Sequence, residues 1–251
     1  MKIVIIGSGN VATVLGKKIK AAGHTILQVL SRNIEHAKIL ADQLNCKAGD
    51  YETGADMSAD LYLFAVADTA LFEMSKYFML GSRLAVHTAG SVNKDVLQKV
   101  STNYGVLYPL QSLRKEIEAV PEIPLFIDAG NNASLVILKE LACSISPEVH
   151  EAGDEQRAKL HTAAVIVSNF INHLYIQAHD FCEKENLDFK VLQPLIDETA
   201  LRLRAYSPRQ LQTGPAMRND VYTLQKHLQI LSAHPKLKYL YVKLTDSIMN
   251  A

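Results

Sequence analysis

Apolar residues follow two rhythms along this chain. Over the first 150 or so residues, short apolar runs alternate with stretches of helical spacing. The expected order is strand 2–6, a helix ending at Gly23, strand 26–30, helix 34–44, strand 61–66, helix 69–78, strand 83–87, helix 93–100 and strand 105–110. Strand 124–128, a helix near 132–144 and an extended segment 148–152 continue the pattern, while 47–60 has no clear period. Alternation of this kind predicts a mostly parallel sheet with helices on both faces. From Asp154 onward the strand pattern stops, and helical spacing covers 155–185, 189–206 with Pro194 inside, 219–232 and 235–249. The expected organisation is therefore an α/β domain over 1–153 followed by an all-helical domain over 154–251. The stretch 163–176 reads as a buried helix, interrupted by Ser168, Asn169, Asn172 and His173 and so too polar for a lipid-facing span.

The first turn carries the first chemical signal. Strand 2–6 runs into Gly7-Ser8-Gly9-Asn10-Val11-Ala12 and then a helix. Gly7 allows a tight exit from the strand, Gly9 lets backbone approach a pyrophosphate, and Ala12 lets the helix lie close on the sheet. The free N–H groups at the helix start then face an anion, which the helix dipole also favours. This is a Rossmann-type dinucleotide-binding unit, with Gly7, Ser8, Gly9, Asn10 and Val11 as cofactor-binding candidates. NAD-binding proteins usually place an acid after the second strand, to bond the ribose 2′-hydroxyl. Here Ser31, Arg32 and Asn33 stand there instead. A hydroxyl, a guanidinium and an amide suit a 2′-phosphate, so NADP is the expected cofactor. Asn33 also fits a second role as the cap of helix 34–44.

Ligands collect at the carboxyl ends of strands in such sheets. Val66 and Ala67 are placed to pass along the cofactor, with Asp68 as a helix cap in the alternative. His87-Thr88-Ala89-Gly90-Ser91 offers small residues for a nicotinamide ring and a histidine for substrate orientation; a satisfied core histidine is the competing role. Gln111 and Ser112 are polar groups at an apolar strand end. On the long helix, His161, Val165, Ser168, Asn169 and Asn172 fall on one face. His161 is the candidate proton donor, Asn169 and His87 orient the substrate, and Ser168 touches it; a hydrogen-bonded network between helices explains the same strip. Thr213, Gly214 and Arg218 form a candidate carboxylate clamp, or equally a turn between helices.

Composition narrows the partners. Lys plus Arg and Asp plus Glu each number 26, the formal charge is zero, and 48% of residues are hydrophobic, which suits a globular protein with no nucleic-acid or membrane surface. Three scattered cysteines outside any Cys-x-x-Cys pattern point to reduced thiols and a cytoplasmic setting, and no histidine spacing suggests a metal site. The apolar surplus of the helical part points to a homodimer.

Taken together, Gly7 to Ala12, Ser31-Arg32-Asn33, His87-Thr-Ala-Gly90, Tyr108-Pro-Leu-Gln111, His161 to Asn169 and Thr213-Gly-Pro-Ala-Met-Arg218 resemble a bacterial Rossmann-like family of uncharacterised NADP oxidoreductases. That family is similar in turn to pyrroline-5-carboxylate reductase, the deazaflavin-dependent NADP reductases and the β-hydroxyacid dehydrogenases. The resemblance implies a Rossmann domain, a helical and often dimer-forming second domain, and reduction of a C=N or C=O bond in a small anionic substrate. Two alternatives stand beside this: a non-catalytic NADP-binding redox sensor, and hydride exchange between NADP and a deazaflavin. Two residues depart from the pattern. The catalytic lysine of β-hydroxyacid dehydrogenases is replaced by Val165, and a usual glycine in the late motif is Asn219.

Overall fold

The computed structural model describes residues 1–117 and 122–251. They divide into two compact units, Met1–Ser168 and Asn169–Ala251.

The first unit is built on an eight-stranded sheet. Its strands are β1 (Lys2–Ile6), β2 (Thr25–Leu30), β3 (Lys47–Gly49), β4 (Leu61–Phe64), β5 (Leu84–His87), β6 (Tyr104–Pro109), β7 (Leu125–Ala129) and β8 (Val149–Glu151). The order is β3-β2-β1-β4-β5-β6-β7-β8, and among these pairs only β6 and β7 run antiparallel. The chain reverses its direction of winding between β1 and β4, which makes the carboxyl ends of those strands the switch point where ligands settle. Central strands covered on both faces need continuous apolar runs. Ile3, Ile5, Leu61, Leu63 and Val86 are accordingly fully buried on one side of the sheet, with Val4, Ile6, Tyr62, Phe64 and Ala85 on the other. Each such aliphatic side chain contributes roughly 1.5–3 kcal/mol.

Helices α1 (Asn10–Ala21), α2 (Ile34–Leu44) and α4 (Asn132–Ile145) match the expected periodicity. Two expected helices do not form as such. In place of 69–78 there is one turn, α3 (Asp68–Leu71), and a 3₁₀ turn, Met74–Lys76; in place of 93–100 there is the 3₁₀ segment Lys94–Leu97. The apolar spacing is real but serves a different purpose. Leu71, Met74, Phe78, Leu97 and Val100 reach the core from short turns, and Phe78 packs edge-on against Phe64 and Tyr51.

The unit closes with α5 (Asp154–Ala164) and the first residues of a π-helical segment, Val165–Phe170, which leads into α6 (Ile171–Lys184). The expected continuous helix is thus interrupted. A π turn closes hydrogen bonds one residue later than an α turn, so the i, i+4, i+7 spacing from His161 to Asn172 does not describe this stretch. Nor is 163–176 buried, because Val167 is 71% and Phe170 58% exposed.

The second unit continues with the 3₁₀ segment Phe189–Leu192, then α7 (Gln193–Arg202), α8 (Pro208–Leu211), α9 (Val221–Ile230) and α10 (Pro235–Met249). Pro194 sits in the first turn of α7, where its missing N–H costs nothing, and not within a longer helix. Among the described residues, no helix is long and apolar enough to cross a membrane.

Candidate functional site

At the end of β1, Gly7 adopts φ +124°, and a Cβ there would lie 2.1 Å from the Ala65 carbonyl oxygen. The neighbouring strand exit therefore demands this glycine before any ligand does. Gly9 is different, since a Cβ there would meet nothing within 4 Å. Gly9 caps α1 without a side-chain bond, and no acid stands in the first turn. The amides around Asn10 and Val11 thus begin a twelve-residue helix whose dipole is met by no acid of its own first turn.

The residues beyond β2 gather at this turn. Ser8 Oγ donates to Ser31 Oγ at 3.0 Å. Arg32 is exposed beside them, and its charge acts on the Tyr51 phenol against the upward push of burial. Asn33 Oδ1 accepts the Glu35 amide at 2.9 Å, so its oxygen caps α2 and only its amide nitrogen is left for a ligand. Ser8, Thr13, His36, Gln43, Lys115 and the carboxylate of Glu116 help to line a cavity of about 260 Å³ here. The Lys115 amide donates to Asn10 Oδ1 at 3.3 Å, which brings the loop after β6 over the start of α1. Neither His36 nor Lys115 was signalled by any motif. The amides at the start of α1, the Ser8 and Ser31 hydroxyls and the nearby Arg32 guanidinium are donors suited to the phosphates of a dinucleotide, with Glu116 as the acid in the cavity's lining.

Val66 and Ala67 follow β4 and are partly open; Asp68 begins α3 and accepts Ser91 Oγ–H at 3.1 Å. Thr88 is nearly buried, and His87 is 0% exposed. The Ala89 amide donates to His87 Nδ1 at 3.2 Å, which leaves the proton of the neutral ring on Nε2, a buried atom with no partner among the described residues. Burial pulls the His87 pKa down to about 4, and the positive charge of Arg157 adds to the effect. The ring is neutral at physiological pH and closed to a substrate in this structure.

Arg157 is 1% exposed and donates through Nη2 to the Val92 carbonyl and to Asp154 Oδ1, both at 2.6 Å. Burial opposes the charge on Asp154, but hydrogen bonds from Arg157 and the Lys94 amide outweigh it and hold the carboxyl below the usual range. Lys94 Nζ in turn donates to Asp128 Oδ2 at 2.8 Å. This network ties the loop after β5 to α5.

His161, on α5, is half-buried. Its Nδ1 lies 2.9 Å from the Tyr108 hydroxyl, at the end of β6. Gly90 runs directly beneath, where a Cβ would come within 2.7 Å of His161 Nδ1. The small residue expected to admit a nicotinamide ring thus makes room for His161. Gln111 Oε1 accepts the Ser112 amide, a local loop bond. Ser168 lies in the π segment, a form often found at functional sites.

In the helical unit, Asn169, Thr213 and Arg218 are exposed and Gly214 has φ +108°. Asn219 takes φ +52°, the left-handed conformation that asparagine tolerates, so it replaces a glycine without undoing the turn. Asp220 then caps α9 by accepting the Thr223 amide at 3.0 Å. His179, Asp180 and Glu183 bring ligand-type atoms within 4.8 Å of one another, all on exposed side chains.

Comparison with known proteins extends this picture. A family model described as NADP oxidoreductase, coenzyme F420-dependent, matches residues 2–78, and one described as a domain of unknown function (DUF2520) matches 123–248. The crystal structure of a protein named "putative NADP oxidoreductase" from Bacteroides fragilis is 38% identical, with TM-score 0.93 over 100% of this chain and 98% of that one. A 1-pyrroline-5-carboxylate reductase from Streptococcus pyogenes shares the fold at 15% identity and TM-score 0.63, covering 100% of this chain and 99% of that one. A reductive aminase from Aspergillus terreus, solved with NADPH and ethyl-5-oxohexanoate, shares it at 16% identity and TM-score 0.67, covering 98% and 94%. No curated protein matches the chain.

Proposed function

The chain belongs to the Rossmann-like NADP oxidoreductase family, and from that membership we propose that it is an NADPH-dependent reductase of a C=N or C=O bond in a small, anionic substrate. The observation that carries the cofactor reading is the open face at Gly9, where uncapped amides of α1 stand beside the Ser8–Ser31 pair and Arg32. Gly7, Ser8, Gly9, Asn10 and Val11 would hold the pyrophosphate. Ser31, Arg32 and the Asn33 amide would hold the 2′-phosphate, and Val66 and Ala67 would border the nucleotide. When bound, reduced nicotinamide supplies hydride; the protein supplies position and a proton.

His161 is the proposed proton donor. Asn169 and Ser168 are proposed to orient the substrate, and Thr213, Gly214 and Arg218 to hold its carboxylate. His87 is assigned a supporting part beneath the site, consistent with its burial and neutral charge. The helical segment 154–251 is proposed as the substrate and dimerisation domain of a cytoplasmic homodimer, a reading supported by its exposed Val191, Leu195, Tyr222 and Tyr239.

The test is NADPH consumption against a panel of cyclic imines and keto acids. Turnover of one member that His161→Ala lowers by about a hundredfold, with NADPH affinity kept, is the expected result. Equal turnover by the variant would remove His161 from the reaction. The match of residues 2–78 to the F420-dependent model favours one second reading, hydride exchange with a deazaflavin. NADPH oxidation that requires added deazaflavin would select it.

A further inference from the structure

Tyr108 and His161 meet across 53 positions of sequence. Tyr108 is 6% exposed, with its ring 6.4 Å from that of Phe126 and edge-on to the His161 imidazole at 5.8 Å. Its hydroxyl stands 2.9 Å from His161 Nδ1. The Gly90 backbone lies against both rings, where a Cβ would come within 2.7 Å of Nδ1 and 2.9 Å of Tyr108 Cε2. The imidazole is therefore gripped through one nitrogen and seated on a backbone that no other residue could supply without moving it.

The choice of partner matters. Burial pushes the Tyr108 phenol up, as does the negative charge of Asp68, with Arg157 opposing, so the hydroxyl keeps its proton. A phenol hydroxyl both donates and accepts. Here it accepts from Nδ1–H, both in the imidazolium and in the neutral ring that remains once Nε2 has given up its proton. A carboxylate in the same place would only accept, and would favour the cation. With tyrosine the ring keeps one orientation through both protonation states.

We infer that Tyr108 is the positioning residue for His161, holding Nδ1 so that Nε2 is the atom that passes the proton, and that Gly90 is the seat this pair requires. This rests on the proposed reductase reading for its chemical purpose. In that step the Nε2–H bond of the imidazolium breaks, its electron pair stays on nitrogen, and the proton goes to the substrate nitrogen or oxygen. The adjacent carbon takes hydride from reduced nicotinamide.

The experiment is ¹⁵N NMR of the full chain with labelled histidine, for wild type, Tyr108→Phe and Gly90→Ala, with His161→Ala to assign the signal. Wild type should show neutral His161 as a single tautomer protonated on Nδ1, with Nε2 left free to take up and pass the proton. Both variants should show a mixture of the two tautomers. A mixture in the wild type, or an unchanged single tautomer in a folded Tyr108→Phe, overturns the inference. NADPH titration and turnover on the panel run in parallel. Tyr108→Phe should lower kcat about tenfold with KM and NADPH affinity unchanged, and an unchanged kcat would overturn the inference as well. A wild type that neither binds NADPH nor turns over any panel member defeats the reductase reading, while the tautomer ratio still decides on Tyr108.

Discussion

The two compact units place their apolar side chains differently. In Met1–Ser168, alternate residues of β1 and β4 are buried on opposite faces of the sheet, and α1, α2 and α4 cover Ile3, Ile5, Leu61 and Leu63 completely. In Asn169–Ala251 the apolar positions recur with helical spacing, yet Phe170, Val191, Leu195, Leu201, Tyr222 and Tyr239 are exposed. As sequence, the first pattern is a series of continuous apolar strand runs and the second a series of apolar helix faces. The difference teaches that spacing specifies an element and its apolar face, whereas what covers that face is a separate matter. The first unit closes its own core. The second leaves an apolar surface for which the proposed homodimer is the natural cover.

The sharpest way to break this contrast is at Gly7. A Cβ there overlaps the Ala65 carbonyl, and φ +124° is hostile to any side chain, so Gly7→Ala should destabilise the sheet-bearing unit by about 4 kcal/mol or more. Chemical denaturation followed by circular dichroism would measure it, and a loss under 1 kcal/mol would mean the turn relaxes freely.

Next in size is the acid response of the first unit. The folded pKa of His87, about 4, lies below the ordinary 6.5, so the unfolded chain takes up a proton first as pH falls. Stability from this group is intact above 6.5, declines between 6.5 and 4, and is lost by about 3 kcal/mol below that. His87→Gln should flatten that limb in urea titrations at pH 7, 5 and 4; an identical slope would show that the ring does not stay neutral when folded. A smaller effect sharpens the other side of the comparison. Val191→Asp with Leu195→Asp should weaken self-association by about a hundredfold in sedimentation without unfolding the chain, because both side chains are already exposed within it. A monomeric wild type would leave that surface without its proposed cover.

The glycine turn, β2, α2 and the residues after β2 were legible because local rules decide them: an apolar run, a turn that needs φ above zero, and an asparagine cap. Segments 69–78 and 93–100 were misread because a core residue every third or fourth position serves short turns as well as helices. β3 is three residues long and too short to carry a period. The π segment left no mark in a spacing that assumes 3.6 residues per turn. At the site, Gly9 and Arg32 follow from motif position, but the Tyr108–His161–Gly90 contact joins three distant segments and is visible only once the sheet has formed. A tyrosine at a strand end looks like ordinary core, so nothing local in the sequence marks Tyr108 as a partner of His161.

The central claim is that the cradle at Gly9 and Arg32 takes NADP. Fluorescence titration of the purified protein with NADPH and NADH, repeated with Arg32→Ala, tests it most directly. Tight NADPH binding that weakens about tenfold to thirtyfold in the variant, with NADH binding unchanged, is the predicted result. Equal affinity for the two nucleotides, or binding of neither, would contradict it.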